Sequence, residues 1–421
     1  MINTRANLNL LAVSAALRET AINTPQNTSQ TLLVSADNYL DVSPRRENNA
    51  SDANGLEEPD IIYDNGKTAT LPLTFDKLQP NQAAFMLAYG LGSVTSATAG
   101  TGKLHTIKPI DGDIDAERSN PTFTGVQRRA KTVEFLRSAS MAVSSCSITF
   151  AADDWVKGAA SCVGTGRTES TLTEVSITAL DNVTSLTLPV AAAGTTAADR
   201  LDNVHQVRAL YGGAWQWIKP TDSPTATTLT VPSLGGAGAS VTYKVLYAQT
   251  LPAWTTMPAR INESPLRVSQ MCLTIGGAWN GTAFVGGVGL GASLGSFEWS
   301  LDNKISPVFT PCAGGAYAGQ MLRGKREQKI KLSRELRSLL LANYMRNNEY
   351  FGLYVLCEGA LYDATNKYTL EAIFPRLGVI SDPLKSNKDR VSEDGELTVL
   401  QDATYGSSIF RIKNLVSGYA A

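Results

Sequence analysis

Histidine is nearly missing from this chain: His105 and His205 are the only two in 421 residues. Two imidazoles so far apart in sequence argue against a histidine-built metal centre or acid–base mechanism, and a lone histidine is ordinarily a satisfied structural residue. Cysteine is also scarce. Cys146, Cys162, Cys272, Cys312 and Cys357 are odd in number and show no CxxC spacing. Neither a disulfide framework nor a zinc site is indicated, and buried free thiols in a reducing cytoplasm are the expectation. No apolar run approaches the roughly 20 residues of a membrane-crossing helix. LNLLAVSAAL (8–17), with Arg5 upstream, only faintly imitates a signal peptide, because Asn9 interrupts a run that is already short. An excess of one charge is lacking too: the formal net charge is −1, so the whole molecule has no field to draw nucleic acid or an anionic membrane.

What the chain does have is length, an ordinary 43% apolar content, and Gly, Ala, Ser and Thr spaced between short β-branched runs. That texture predicts a mainly β protein of two or three domains with many turns. FEWSLDNKISPVF (297–309) is representative. Phe297, Trp299 and Leu301 alternate with Glu298, Ser300 and Asp302, the pattern of a strand with one dry face, and Asp302-Asn303-Lys304 then ends it. Residues 168–256 differ. TLTEVSITAL, SLTLPVA, VHQVRALYG, AWQWIKP, TTLTVP and SVTYKVLYA predict short strands parted by turn signals, a small β-sandwich or barrel inserted into the chain. Trp215 and Trp217 in it are expected to pack rather than to form a ligand platform.

The chain also echoes itself. LLVSADNYL (32–40) lies over FEWSLDNKI (297–305), setting Asp37-Asn38 on Asp302-Asn303 as two strands with the same ending. A polar loop follows each, then Gly66-Lys67 and Gly324-Lys325 open strands that run to Leu78 and Leu336. Helices are predicted next. One starts near Pro80, buries Phe85, Met86 and Tyr89, and stops at Gly90 and Gly92; the other takes Ser333 as N-cap, uses Leu336, Leu339, Leu340 and Tyr344, and ends at Asn347-Asn348. A weaker echo joins VSSCSITF (143–150) to VSQMCLTI (268–275).

Catalytic motifs fail on context. GASLG (291–295) has the G-x-S-x-G form, but a strand follows where the nucleophile elbow needs a helix, and no histidine lies after the serine. GVGLGA (287–292) lacks the helix of a dinucleotide site, and AGGAYAGQ (313–320) lacks the Walker lysine. No carboxylate pair stands out, so an enzyme is not expected, and neither a cofactor nor a metal is called for. The basic stretches QRRAK (127–131) and RGKREQKIKLSRELR (323–337) read as solvated faces or a charged interface rather than a DNA site. Their counterpart is acidic. Asp37, Asp41, Glu47, Asp52, Glu57, Glu58, Asp60 and Asp64 outnumber Arg45 and Arg46 in a stretch read as a long loop too structureless for a simple hairpin. Opposite charges on separate parts of one chain suit copies that meet head to tail, with Asp41, Arg45, Arg46, Glu47, Glu57, Glu58, Lys325 and Arg326 as candidate contacts between copies.

Taken in order, these segments resemble the tail tube proteins (major tail proteins) of long-tailed bacteriophages. The second half carries most of it, through FEWSLDNKI, GKREQKIKLSREL, YTLEAIFPRLGVI (368–380) and ELTVLQDATYGSSIFRI (396–412). The first half joins through the acidic loop, TLPLTFDKLQPNQAAFMLAYGLG and SCSITFAADDWVKGAASCVG. The resemblance implies a β-sandwich or barrel with flanking short helices, assembled into stacked rings whose strands line a conduit for DNA. Glu298, Ser300, Asp302, Asn303 and Lys304 would then be a tube-wall strand and rim turn, and the loop 41–65 would reach the next ring. Such proteins usually place one fold per chain and six chains per ring. Two copies here favour a homotrimer with pseudo-sixfold order over a homohexamer, organised as an arm (1–27), a first half (28–167), an inserted surface domain (168–256) and a second half (257–421). Implied partners are the chain itself, the tape measure, tip and terminator proteins of the tail, and DNA passing without specific binding. The implied place is the virion tail, assembled in the host cytoplasm. The alternative is a β-rich cell-surface or virion adhesin that binds through 168–256.

Overall fold

The computed structural model describes residues 8–16, 18–51, 57–110, 121–129, 134–152, 154–310, 316–387 and 390–419. Arg5, Asp52, Cys312 and the last two residues of QRRAK lie outside them. Strand accounts for 55% and helix for 9%, so the turn-rich, β-branched texture gives a mainly β chain of antiparallel sheets. The chain divides into two compact units. Residues 8–11, 126–129 and 134–137 group with Thr168–Met257 in the smaller one, which is therefore not a single continuous stretch.

The larger unit uses one arrangement twice. Its principal elements begin with β1 (Asp41–Asn48), β2 (Ile62–Phe75), α1 (Pro80–Leu91), β3 (Gly92–Ala99), β4 (Gly102–Pro109), β5 (Glu134–Ala151) and β6 (Lys157–Gly164). After β7 (Met271–Trp279) come β8 (Leu294–Asp302), β9 (Glu327–Glu335), α2 (Leu340–Arg346), β10 (Phe351–Leu361), β11 (Lys367–Val379), β12 (Leu384–Asn387) and β13 (Arg390–Val399), with β14 (Ile409–Asn414) last. One antiparallel sheet has the order β1-β2-β6-β5-β8-β9-β13-β12. Its two halves are the same permutation: a strand pair, a helix, an intervening hairpin, then a pair that adds on the far side of the second strand. The intervening hairpins β3-β4 and β10-β11 go to a second sheet, β3-β4-β14-β11-β10-β7, where both flank β14. The sheets are continuous where Leu377 of β11 pairs with Val399 of β13.

Side-chain alternation fixes which face is dry. Leu71, Leu73, Phe75, Ile148, Phe150, Phe297, Trp299, Leu301, Ile330, Leu332 and Leu397 are all buried. Trp299 meets Phe410 of the second sheet edge to face, with centroids 4.7 Å apart. α1 lies wholly inside, and Gly90 lets it approach: a Cβ there would stand 3.1 Å from Leu301 Cδ2 and 3.4 Å from Cys146 Sγ. The helix ends at Gly92, whose φ of 97° is left-handed.

Four sequence expectations are corrected here. Residues 33–40 are not a strand, because Ser35 N bonds Thr74 O and Asn38 N bonds Ser35 O, which turns the chain; only Gln30–Leu32 is extended. The element equivalent to β8 is instead β1, inside the stretch read as a structureless loop. β1 and β2 form a hairpin, with Asp41 opposite Thr70 and Asn48 opposite Ile62. Ser333 does not cap a helix, since pairing with β13 carries β9 on to Glu335 and the Ser333 hydroxyl bonds Asp394; α2 starts only at Leu340. The echo of 143–150 in 268–275 has no structural counterpart, because β5 and β7 stand in different sheets.

The smaller unit is a two-sheet sandwich. Leu172–Leu180, Ser240–Ala248, Val204–Tyr211 and Ala214–Ile218 form one sheet in that order, and Ser185–Thr187, Thr228–Thr230 and Asp222–Thr225 the other. Val207, Ala209, Ile218, Leu229, Tyr243, Val245 and Tyr247 fill the space between them.

Candidate functional site: the open face of the eight-stranded sheet

The register of the large sheet dictates what its other face presents. One row runs across it as Thr74, Ala159, Ser147, Ser300, Lys329 and Thr398. A second is Pro72, Ser161, Ser145, Asp302 and Glu327. A third is Lys157, Thr149, Glu298, Lys331 and Glu396, and a fourth Ala151, Ser296, Ser333 and Asp394. These positions hold no aromatic side chain, and their aliphatic surface is limited to alanine, proline and the stems of threonine and lysine. Five carboxylates (Glu298, Asp302, Glu327, Asp394, Glu396) stand against three lysines (Lys157, Lys329, Lys331), and Lys329 is paired to Glu396 at 3.0 Å. The charges gather on β8, β9 and β13, whereas β2, β6 and β5 contribute mostly hydroxyls and methyls. A trough of about 570 Å³ crosses the middle, over Thr74, Ser147, Ser300 and Lys329.

The Asp-Asn corner closes one end of this face. Asp302 Oδ1 accepts from Lys304 N at 2.8 Å, so the side chain makes the turn, and Lys304 takes a left-handed φ of 49°. Asn303 is 0% exposed. Its Nδ2 donates to Gly90 O (2.8 Å) and Val143 O (3.1 Å), and its backbone N–H donates to Ser144 O (2.8 Å). Lys304 Nζ pairs with Glu327 at 2.5 Å, and this hydrogen bond raises the lysine's pKa and lowers the carboxylate's. The corner is a clamp holding strand end to helix.

The other candidate residues separate into groups. Asp41, Arg45, Arg46 and Glu47 lie exposed on β1, an edge strand, and Glu57 and Glu58 are exposed in the segment leading to β2. Arg45 rests over the Phe309 ring at 4.6 Å. Lys325 is exposed, but Arg326 turns inward, its Nε donating to Asn303 Oδ1 at 3.3 Å and its Nη2 to Leu91 O at 3.4 Å. Glu298 and Ser300 point to the open face beside Lys331 and Lys329.

Sequence reasoning missed the two carboxylates that begin the helices. Glu263 accepts from Asn81 N at 2.7 Å and Leu415 N at 2.8 Å. Glu393 accepts from Leu341 N and Ala342 N and pairs with Arg334 at 2.7 Å, both side chains almost wholly buried. Each comes from far along the chain, so no local capping pattern announces it. His105 is also buried, bonded to Ser96 and Asn414. Cys146, Cys162 and Cys357 are buried thiols, whereas Cys272 is exposed, against expectation, because it falls on the outer side of β7. Ser293 of GASLG gives its hydroxyl to Leu290 O at 2.7 Å, and β8 follows at once. Among the described residues no group of three or more His, Cys, Asp or Glu side chains is placed to hold a metal. Trp215 and Trp217 are the largest departure: they are exposed on the outer face of the smaller unit. No protein-family model matches the chain, and none of the curated proteins does.

Proposed function

We propose that the chain is a structural virion protein that assembles into stacked rings, forming the tail tube through which a long-tailed bacteriophage delivers DNA. The observation that carries this is a joint. Inside the chain, the last-placed strand of the first repeat, β5, pairs with the first strand of the second, β8. Among the described residues the sheet then ends in β12 on one side and β1 on the other, the same two kinds of strand one repeat further on. Pairing β12 of one copy with β1 of the next repeats the internal joint, covers both open edges, and continues until the ring closes. Three chains of two repeats give pseudo-sixfold order. The face lining such a ring would be the one rich in Ser, Thr and Ala with more carboxylates than lysines, which offers phosphate no anchoring cluster and lets a duplex slide. Exposed β1 and the segment 57–61 are the contacts toward neighbouring copies, and the tape measure, tip and terminator proteins would meet the tube's ends and interior.

Unstained electron microscopy of the purified full-length protein tests this. Hollow rings or tubes with threefold order in end-on averages are expected. Strict sixfold order from six chains removes the duplicated-ring geometry, and a monodisperse monomer across salt and protein concentration overturns the tube reading. A second reading, an adhesin binding through the smaller unit, is favoured by the exposure of Trp215 and Trp217.

A further inference from the structure

The outer face of the four-stranded sheet in the smaller unit carries features that its packing does not need. The inner face is closed by Val207, Ala209, Tyr243 and Val245, so the alternate residues point away from the core. On the edge strand Ala214–Ile218, Trp215 is 43% and Trp217 73% exposed. An indole left in water is an exception to ordinary burial. Arg208 lies directly opposite Trp217, and Lys244 opposite Arg208. Trp215 holds both cations, with the Arg208 guanidinium 5.1 Å and Lys244 Nζ 5.3 Å from its ring centroid. Glu174 ties them together, at 2.8 Å from Arg208 and 3.1 Å from Lys244. Its carboxyl is held below the usual range, first by the hydrogen bond from Lys244 and further by Arg208. The group therefore carries one net positive charge beside a free aromatic ring.

We propose that this face binds an acidic polysaccharide, with Trp217 stacking on a sugar ring and Arg208 and Lys244 receiving its carboxylate or sulfate. Trp217 and Arg208 start from directly opposite positions, with Cβ atoms about 5 Å apart, so one sugar unit can meet the ring and the cation cluster together. Charge complementarity selects the acid: two ordered cations share one carboxylate, leaving donor capacity for a second anion. A single net positive charge is too little for a nucleic acid, whose binding rests on several phosphate contacts. Ser176, Thr178 and Thr242 add hydroxyls to the same face, and Leu210, opposite Trp215 and 42% exposed, adds apolar surface. The inference stands apart from the tube reading, because an adhesin could carry the same face.

Affinity electrophoresis of the full-length chain through gels containing alginate, hyaluronate or neutral dextran tests it. Alginate and hyaluronate should retard the protein and dextran should not. Trp217→Ala and Arg208→Gln should each weaken retention at least tenfold while leaving the thermal midpoint within a degree or two, and Lys157→Gln, on the other unit, should leave retention unchanged. The proposal is overturned by equal retardation in dextran, by retention that Trp217→Ala leaves intact, or by no retardation at all. Preferential binding of single-stranded DNA or of anionic phospholipid vesicles through the same two residues also overturns it.

Discussion

Asn303 and Glu263 show how much of this molecule rests on single polar side chains placed in the interior. Asn303 satisfies the carbonyls of Gly90 and Val143 where α1 meets β5, and no water can replace it without opening the core. Asn303→Ala should cost about 2–4 kcal/mol, the loss of two buried hydrogen bonds with their acceptors left bare, read as a lower urea midpoint at unchanged slope. Glu263 behaves differently because it is buried with no cation beside it among the described residues. Burial pushes its carboxyl up to about 7, against the downward pull of the Leu415 and Asn81 N–H groups. Below the ordinary carboxyl range both folded and unfolded states hold the proton, and the group costs nothing. As pH rises from about 4.5 to 7 the unfolded chain ionises first, so stability falls, by about 3 kcal/mol in total. Above about 7 the loss is complete. Thermal midpoints measured from pH 4 to 8 should therefore show a downward slope that Glu263→Gln removes, even though the amide is the poorer partner for two N–H donors; an unchanged slope in the variant would count against this assignment. Glu393 caps the second helix with the Arg334 guanidinium 2.7 Å away, a neighbour that Glu263 lacks among the described residues.

At the scale of elements, the strand-then-helix parts of the repeat were legible in sequence, and so was β8 through the alternation of Phe297, Trp299 and Leu301, but its equivalent in the first repeat was not. Gly66 to Leu78 and Gly324 to Leu336 carry alternation into helical spacing, and both signals are local. The first strand of the first repeat is instead defined by its partner. β1 carries Pro44, Arg45, Arg46 and Glu47 and has no dry face of its own, so composition marks it as loop while backbone pairing with β2 makes it strand. A wet, proline-containing edge is how a sheet avoids indiscriminate pairing, and a defined neighbour can still use it. Arg46→Glu combined with Glu47→Lys inverts its charge order. The fold should change by less than about 0.5 kcal/mol, as for exposed sites generally. Sedimentable assembly should fall at least tenfold, and undiminished assembly would rule β1 out of the contact between copies.

For the molecule as a whole, composition gave the β class and the texture of 172–248 gave its strands, because turns and β-branched runs are written locally. The grouping of residues 126–129 and 134–137 with that domain was not legible, since it depends on where the chain returns in space. Nor was the exposure of Trp217, because an alternating strand pattern states that two faces differ without stating which is wet. The internal joint between β5 and β8 has a further consequence. Two sheet halves carried in one polypeptide are inherited together and can differ, as two identical subunits cannot. They do differ: in the rows across β2, β6 and β5 one half carries only Lys157 as a charge among Thr74, Ala159, Ser161 and Ser147, and the other alternates acid and base through Glu298, Lys331, Glu327 and Lys329. If three such chains close into the proposed ring, a travelling polyanion would meet plain and charged facets by turns, a corrugation of threefold period that six identical panels have no means to write.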